Sequence, residues 1–101
     1  MENKQKINMI QFKKTVYPFC PLGKDHYKGE IHVSIEPAER LFDFCKVDQW
    51  IEELGKESLI IEDLVNSVYQ IMMQFQPKYL EVTVYGESNK HFPVTVIKEM
   101  K

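Results

Sequence analysis

The residue with the clearest chemical potential is Cys20, which lies in the segment Pro18-Phe19-Cys20-Pro21. Two potential cations, Lys24 and His26, follow shortly after it. A thiol in a loop with cations nearby is favoured as the thiolate, which is a strong nucleophile. The alternative is a small buried apolar residue, the usual state of a free cysteine. The residues alone leave both interpretations open.

Glu62 is the second candidate, and it lies next to Asp63 at the start of an apolar stripe typical of a helix. A carboxylate in the first turn of a helix usually complements the helix dipole, and Asp63 would serve equally well. A carboxylate also accepts two parallel hydrogen bonds from a ring N–H and a neighbouring exocyclic amine. Glu62 is therefore a candidate for binding the edge of a guanine-like base.

Other catalytic and metal-binding patterns are missing from the sequence. The second cysteine, Cys45, lies beside Phe44 and Val47 and is predicted to be a small buried apolar residue. Two cysteines form no disulfide framework, and the three histidines are too dispersed for a metal site. His32 and His91 are predicted to occupy solvent-facing strand positions. The four glycines are scattered, so no phosphate-binding loop is expected.

The composition describes one small domain. The chain has 101 residues, of which 44% are apolar and 28% charged, with a formal net charge of −2. We therefore expect a single domain over residues 1–101. A chain of this length buries too little surface for a deep site of its own, so a ligand site is predicted to be shared with a neighbouring subunit.

Charge and hydropathy limit the partners of the chain. The balance is not the strongly basic one of a nucleic-acid-binding protein, although the residues up to Lys28 include six lysines against Glu2 and Asp25, a net charge of +4. No apolar run is long enough to span a membrane, and the first residues lack the apolar segment of a signal peptide. We expect a cytoplasmic protein with reduced thiols and no membrane partner.

Hydrophobic periodicity divides the chain into six elements. Ile31, Val33 and Ile35 alternate with polar residues, as in a half-buried strand, and after Pro37 the apolar spacing becomes that of a helix. Pro93 predicts that the last strand lies at a sheet edge. We predict strands over 7–17, 31–36, 80–85 and 92–97, and helices over 47–54 and 62–75, the second closed by Pro77. The order ββααββ indicates an α+β domain: a four-stranded antiparallel sheet with two helices on one face.

Together these residues resemble one family, the queuosine-pathway nitrile reductases (QueF) and their shorter archaeal QueF-like relatives. The resemblance covers about residues 19 to 96 and is carried by Cys20-Pro21, Pro37, Ile61-Glu62-Asp63 and Gln76-Pro77-Lys78-Tyr79-Leu80-Glu81-Val82. It implies the tunnelling fold, whose ββααββ units close into rings with the sites between subunits.

The resemblance also implies a role for each candidate residue. Cys20 would attack the nitrile carbon of 7-cyano-7-deazaguanine to form a thioimide, and Glu62 would hold the deazaguanine edge. Family members carry an Asp seven residues after the Cys as a proton donor or acceptor. In this chain that position is Tyr27, and Asp25 lies two positions earlier. Asp25 and Tyr27 are therefore both candidates for the catalytic residue that moves a proton.

The nicotinamide-binding motif of the reductases would fall at residues 43–50, where only Lys46 remains. The closest resemblance is therefore to the QueF-like, archaeosine synthase type, which uses an ammonia source in place of hydride and forms an amidine on transfer RNA. We predict this amidination, with no NADPH or other cofactor, in a homo-oligomeric ring. The alternatives are an NADPH-dependent reductase with a diverged cofactor site and a ring-forming, non-catalytic protein that binds a deazaguanine or a pterin. The net charge of −2 favours a free base as substrate and leaves transfer RNA open as a partner.

Overall fold

Four long antiparallel strands form the main sheet of the protein. The computed structural model describes residues 1–101. In chain order the elements are β1 (Ile10–Val16), β2 (Phe19–Cys20), β3 (Asp25–His26), β4 (Lys28–Glu36), α1 (Phe44–Leu54), α2 (Ile61–Met73), β5 (Tyr79–Glu87) and β6 (Val94–Glu99). The main sheet has the order β1-β4-β5-β6, and β2 and β3 form a separate small hairpin. The predicted α+β class and the order of the four long strands and two helices are confirmed.

The core forms between the two helices and one face of the sheet. In β4, Ile31, Val33 and Ile35 point to this face and are no more than 1% exposed, because a strand turns alternate side chains to the same side. Leu64 of α2 and Ile51 of α1 complete the core and are fully buried. Burying side chains of this size contributes about 1.5–3 kcal/mol each. Both helices therefore lie on one face of the sheet, as predicted.

Local backbone and side-chain chemistry sets the helix boundaries. Asp43 caps α1 by accepting hydrogen bonds from the backbone N–H groups of Cys45 and Lys46, so the helix begins earlier than its apolar spacing indicates. Helix α2 ends at Met73, short of the predicted end, and Gln76 turns the chain with a left-handed φ of 51°. Neither helix has the length and apolar character that a membrane span requires.

The two edge strands of the sheet are β1 and β6. Pro93, which has no N–H group for a ladder, immediately precedes β6, and the edge position predicted for the last strand is confirmed. At the other edge, Nζ of Lys14 in β1 lies 2.8 Å from a Glu52 carboxylate oxygen and 2.9 Å from one of Asp48. The hydrogen bonds with Glu52 and Asp48 raise the pKa of Lys14. They tie β1 to α1.

Two predictions about single residues are wrong. Cys45 is exposed, because the first turn of α1 presents it to solvent while Val47 packs into the core. His91 is not on a strand; it lies in the turn between β5 and β6. His32 does lie on β4, on the face that points away from the helices, as predicted.

Candidate functional site

All four site residues predicted from the sequence line one cavity of about 370 Å³. It lies where the β2-β3 hairpin, the start of α2 and the turn between β5 and β6 meet. The hairpin contributes Cys20 and Asp25, Tyr27 follows the hairpin, and α2 contributes Glu62. The end of β5 and the β5-β6 turn add further polar residues to the lining: Glu87, Ser88, Lys90 and His91.

Cys20 is held by the β2-β3 hairpin, whereas its sequence pattern indicated only a loop between strands. Cys20 pairs directly with Asp25. The N–H of Lys24 donates to the Cys20 carbonyl at 2.8 Å, and Lys24 takes a left-handed φ of 54°, which closes the connection. Residues directly opposite in an antiparallel pair place their side chains on the same side, with Cβ atoms about 5 Å apart. Cys20 and Asp25 therefore present their side chains on the same side of the hairpin, and both line the cavity.

Both of these side chains remain available for chemistry. The backbone N–H of Gly23 donates to Sγ of Cys20 at 3.5 Å, a contact that suits a sulfur carrying negative charge. Oδ1 of Asp25 accepts a hydrogen bond from the N–H of His26 at 2.8 Å. The second carboxylate oxygen of Asp25 makes no hydrogen bond within the chain, so it can accept a proton.

Backbone hydrogen bonds hold the hairpin against the segment that leads into α2. The N–H of Phe19 donates to the Glu57 carbonyl at 3.2 Å, and the N–H of Leu59 donates to the Phe19 carbonyl at 2.9 Å. Together they form a short parallel bridge between Phe19 and Ser58. Because Cys20 follows Phe19 directly, this bridge brings the thiol to the start of α2, where Glu62 lies.

Tyr27 is buried beneath the hairpin, with only 7% of its surface exposed. Its hydroxyl donates to the Leu59 carbonyl at 2.7 Å. Burial raises the pKa of the Tyr27 hydroxyl, and the charges of Cys20, Glu62 and Asp63 raise it further. The hydroxyl is thus held as a neutral donor that ties the end of the hairpin to the approach to α2.

Glu62 is an exposed residue in the first turn of α2, and its carboxylate makes no hydrogen bond or ion pair within the chain. The N-cap residue, Ile60, supplies no side-chain cap, so the unpaired N–H groups at this helix end favour anionic groups. Asp63, in the same turn, does not line the cavity. Glu62 is therefore the carboxylate of α2 that a ligand in the cavity can reach.

Strand β5 approaches α2 closely at Gly86. A β-carbon on this residue would lie 2.6 Å from Cδ1 of Ile61, so the absence of a side chain leaves room for Ile61. Gly86 also pairs with Val94 of β6, which closes the β5-β6 hairpin at this point. The close approach brings the polar turn of that hairpin to the cavity.

The basic residues that line the cavity could not be predicted from local sequence. Lys24 and His26 are the basic residues nearest to Cys20 along the chain, but neither lines the cavity, and the His26 ring bonds a backbone carbonyl instead. Lys90 and His91 do line it. Lys90 lies 70 residues along the chain from Cys20. Only the sheet topology, which no local pattern encodes, places them together.

Comparison with known proteins identifies a fold rather than a sequence family. No family model matches the chain, and no curated protein matches its sequence. The crystal structure of the archaeosine synthase QueF-Like in the apo form is similar, with a TM-score of 0.81 and 18% identity, covering 92% of this chain and 93% of that chain. A structure assigned as a dihydroneopterin aldolase (FolB) from Vibrio cholerae O1 biovar El Tor has a TM-score of 0.70 and 16% identity, covering 93% of this chain and 97% of that chain.

Both similar structures are tunnelling-fold proteins, and this chain has the tunnelling fold. The fold predicted from the sequence is confirmed. At such identities the likeness establishes the fold alone. Within the chain, no group of three or more His, Cys, Asp or Glu side chains could hold a metal ion. The groups available for chemistry are the thiol, the carboxylates and the cations of the cavity.

Proposed function

We propose that this protein is an enzyme that converts the nitrile of 7-cyano-7-deazaguanine through a thioimide on Cys20, with ammonia as the second substrate and without NADPH. One observation carries the proposal: a nucleophile, Cys20, and a carboxylate suited to a guanine-like edge, Glu62, line the same cavity of about 370 Å³. They are 42 residues apart in the chain. The cavity has the size of a small-molecule site, and the likeness to a structure named as an archaeosine synthase supports the same class of reaction.

In this proposal Glu62 recognises the base. A deazaguanine presents a ring N–H beside an exocyclic amine, and one carboxylate accepts both in parallel. Hydrogen bonds to a charged group contribute about 1.5–3 kcal/mol each. The apolar side chains of Ile61 and Val94 also line the cavity and suit the faces of a flat ring. A base bound by its edge to Glu62 would carry its nitrile within the cavity that Cys20 shares.

Cys20 then supplies the covalent step. Its sulfur forms a bond to the nitrile carbon, one π pair of the C≡N bond moves to nitrogen, and Asp25, directly opposite Cys20, accepts the thiol proton. Nitrogen takes up a proton from a basic side chain of the cavity in its protonated form, which gives the thioimide. Ammonia adds to the thioimide carbon and gives one proton back to that side chain, the sulfur departs as the amidine forms, and the proton held by Asp25 returns to the sulfur.

Ammonia is the better-supported second substrate, because residues 43–50, which would bind nicotinamide in the reductases, have structural roles in this fold. Asp43 caps α1, Val47 is buried in the core, and Asp48 bonds Lys14. Lys46 is the one cation of residues 43–50. Binding a dinucleotide phosphate takes several cationic or N–H donors, and this segment offers one exposed lysine.

A second copy of the chain would complete the cavity. Val94 and Val96 of the edge strand β6 line it, so the cavity adjoins an edge whose backbone groups have no partner within the chain. The other edge of the sheet, β1, is equally unpaired. Pairing β1 of one copy with β6 of the next would satisfy both edges and enclose the cavity. The proposed enzyme is therefore a ring of identical subunits with shared sites.

The distribution of charge supports a free base, rather than a base within RNA, as the substrate. Lys14 is paired with Asp48 and Glu52, and Lys4 lies 3.7 Å from Glu2, so part of the lysine-rich N-terminal stretch is neutralised. The net charge of the chain is −2. An affinity for RNA that falls steeply as the salt concentration rises would instead indicate that the base is part of an RNA.

Product analysis tests the reaction. The protein is incubated with 7-cyano-7-deazaguanine and either ammonium or NADPH, and the products are weighed by mass spectrometry. We expect a product heavier than the substrate by one ammonia, formed only with ammonium and absent with Cys20→Ala. A product heavier by hydrogen, formed with NADPH, would identify a reductase. Tight binding with neither product would identify a non-catalytic deazaguanine-binding protein.

A further inference from the structure

We propose that Lys90 is the acid of the site, and that its ammonium group donates the proton that the nitrile nitrogen takes up when Cys20 adds. The inference rests on the proposed function, because it assigns a residue to the same covalent step. Addition of sulfur leaves negative charge on nitrogen, and a positioned proton donor removes that charge as it develops.

Lys90 lies beside the loop that holds the nucleophile. A β-carbon on Gly23 would be 3.9 Å from Cγ of Lys90 and 3.9 Å from Sγ of Cys20. The stem of the lysine and the sulfur therefore flank the same residue of the hairpin loop. Beyond Cγ the side chain has two further carbons before the ammonium group, which is long enough for that group to approach an atom bonded to the sulfur.

The turn that carries Lys90 is held by one internal hydrogen bond and by the strand pairing at its base. The backbone N–H of Lys90 donates to Oγ of Ser88 at 3.0 Å, which shapes the turn internally. At the base of the turn, Gly86 pairs with Val94 of β6, and because Gly86 has no side chain, Ile61 of α2 packs directly against its backbone. The backbone of Lys90 is thus placed by the same contacts that form the cavity.

Lys90 is the one lysine that lines the cavity. The Tyr27 hydroxyl is already engaged, since it donates to the Leu59 carbonyl. His91 bonds the Phe92 carbonyl oxygen through Nδ1 at 2.6 Å, so only its Nε2 remains without a partner in the chain. Lys90 forms no ion pair within the chain, where the paired lysines are Lys4, Lys14 and Lys56, so its ammonium group is free to serve a substrate.

Protons and charge balance with Lys90 in this role. The Asp25 carboxylate takes the thiol proton, the S–C bond forms, and the Lys90 ammonium protonates nitrogen, which leaves a neutral amine beside a neutral thioimide. When ammonia adds to the thioimide carbon, that amine takes a proton from the added nitrogen. Asp25 then returns its proton to the departing sulfur. Lys90 ends the cycle as an ammonium group, ready for the next substrate.

The test follows the rate of adduct formation by intact mass in Lys90→Met, Lys90→Arg and a matched control, Lys28→Met. The control makes the same change of charge at an exposed lysine that follows the hairpin and does not line the cavity. We expect both Lys90 variants to be slower than wild type by about 10²-fold or more, because arginine keeps the charge but does not release a proton near neutral pH. The control should react at the wild-type rate.

Affinity for the nitrile base separates proton donation from binding. Measured in a Cys20→Ala background, it should be unchanged by Lys90→Met, since Glu62 supplies recognition. Adduct formation at the wild-type rate in Lys90→Met, or a rate restored by Lys90→Arg, would overturn the assignment of Lys90 as the proton donor. Absence of any adduct in the unmodified protein is a different result, which overturns the proposed function itself.

Discussion

Cys20 and Asp25 are directly opposite each other in a hairpin whose two strands are only two residues long. The hairpin is tied to the segment before α2 through Phe19, and its end is anchored by the buried Tyr27 hydroxyl. A thiol and a carboxylate are thus placed opposite each other on an anchored hairpin, and in the proposed reaction they serve as nucleophile and proton acceptor. The same anchoring brings both groups to the cavity that Glu62 lines.

Asp25→Asn should slow adduct formation with the nitrile base. The amide oxygen can still accept the hydrogen bond that Oδ1 receives from the His26 N–H, so the hairpin is kept while the proton acceptor is lost. We expect the rate, followed by intact mass, to fall by about 10²-fold or more. An unchanged rate would show that another group takes the thiol proton.

Glu62→Gln should weaken binding of the base. The carboxylate accepts two hydrogen bonds from the base, whereas the amide can accept only one and places its NH₂ group opposite the second donor. We therefore expect the affinity for the base to fall by about tenfold or more. Calorimetry in a Cys20→Ala background measures it. Asp63→Asn is the matched control, since it removes a charge from the same helix turn outside the cavity. Equal losses in the two variants would mean that helix-end charge, rather than a contact with Glu62, controls binding.

Gly55→Ala should destabilise the fold. Gly55 caps α1 with an ordinary φ of −65°, where alanine is normally tolerated. A β-carbon there would lie 2.6 Å from Cβ of the buried Val16, and this atom cannot move without its backbone. We expect the free energy of unfolding to fall by about 1–3 kcal/mol in chemical denaturation. Gly23→Ala is the control, because its β-carbon makes only 3.9 Å contacts; equal stability of the two variants would show that Val16 is not crowded.

Tyr79 should make stability fall at alkaline pH. Its hydroxyl donates to Glu99 at 3.0 Å and to Glu81 at 3.2 Å, and the bond to Glu99 above all raises the pKa of Tyr79 to about 12. A raised folded-state pKa contributes stability that is complete below the unfolded value of about 10 and is lost as pH rises from there through about 12. Denaturation at several pH values should show a steeper alkaline loss in wild type than in Tyr79→Phe. Parallel curves would contradict the shared hydrogen bond.

The main sheet and helices could be predicted because their residues repeat with a clear period. Alternation of Ile31, Val33 and Ile35 indicates one buried face whatever the rest of the chain does. The β2-β3 hairpin has no such signal, since two residues cannot show a period. Its pairing of Cys20 with Asp25 depends on the left-handed backbone conformation of Lys24. Nothing about a lysine in the sequence predicts that conformation.

Site residues could be predicted only where they fell in a local motif. Cys20 and Glu62 did, whereas Lys90 reaches the cavity through the pairing of β5 with β6 and the close contact of Gly86 with Ile61. Cys45 was wrongly predicted to be buried, because apolar neighbours on a helix do not fix which side of the first turn faces the core. The position of Lys90 and the exposure of Cys45 both depend on tertiary packing.

The central claim is that Cys20 bonds covalently to the nitrile carbon, and the intact mass of the protein tests it most directly. After incubation with 7-cyano-7-deazaguanine alone, we predict a mass increase of one substrate molecule in the unmodified protein and in Cys45→Ala, which removes the other, exposed thiol. Cys20→Ala should show no increase. No increase in the unmodified protein, or an increase that persists in Cys20→Ala, would contradict the account.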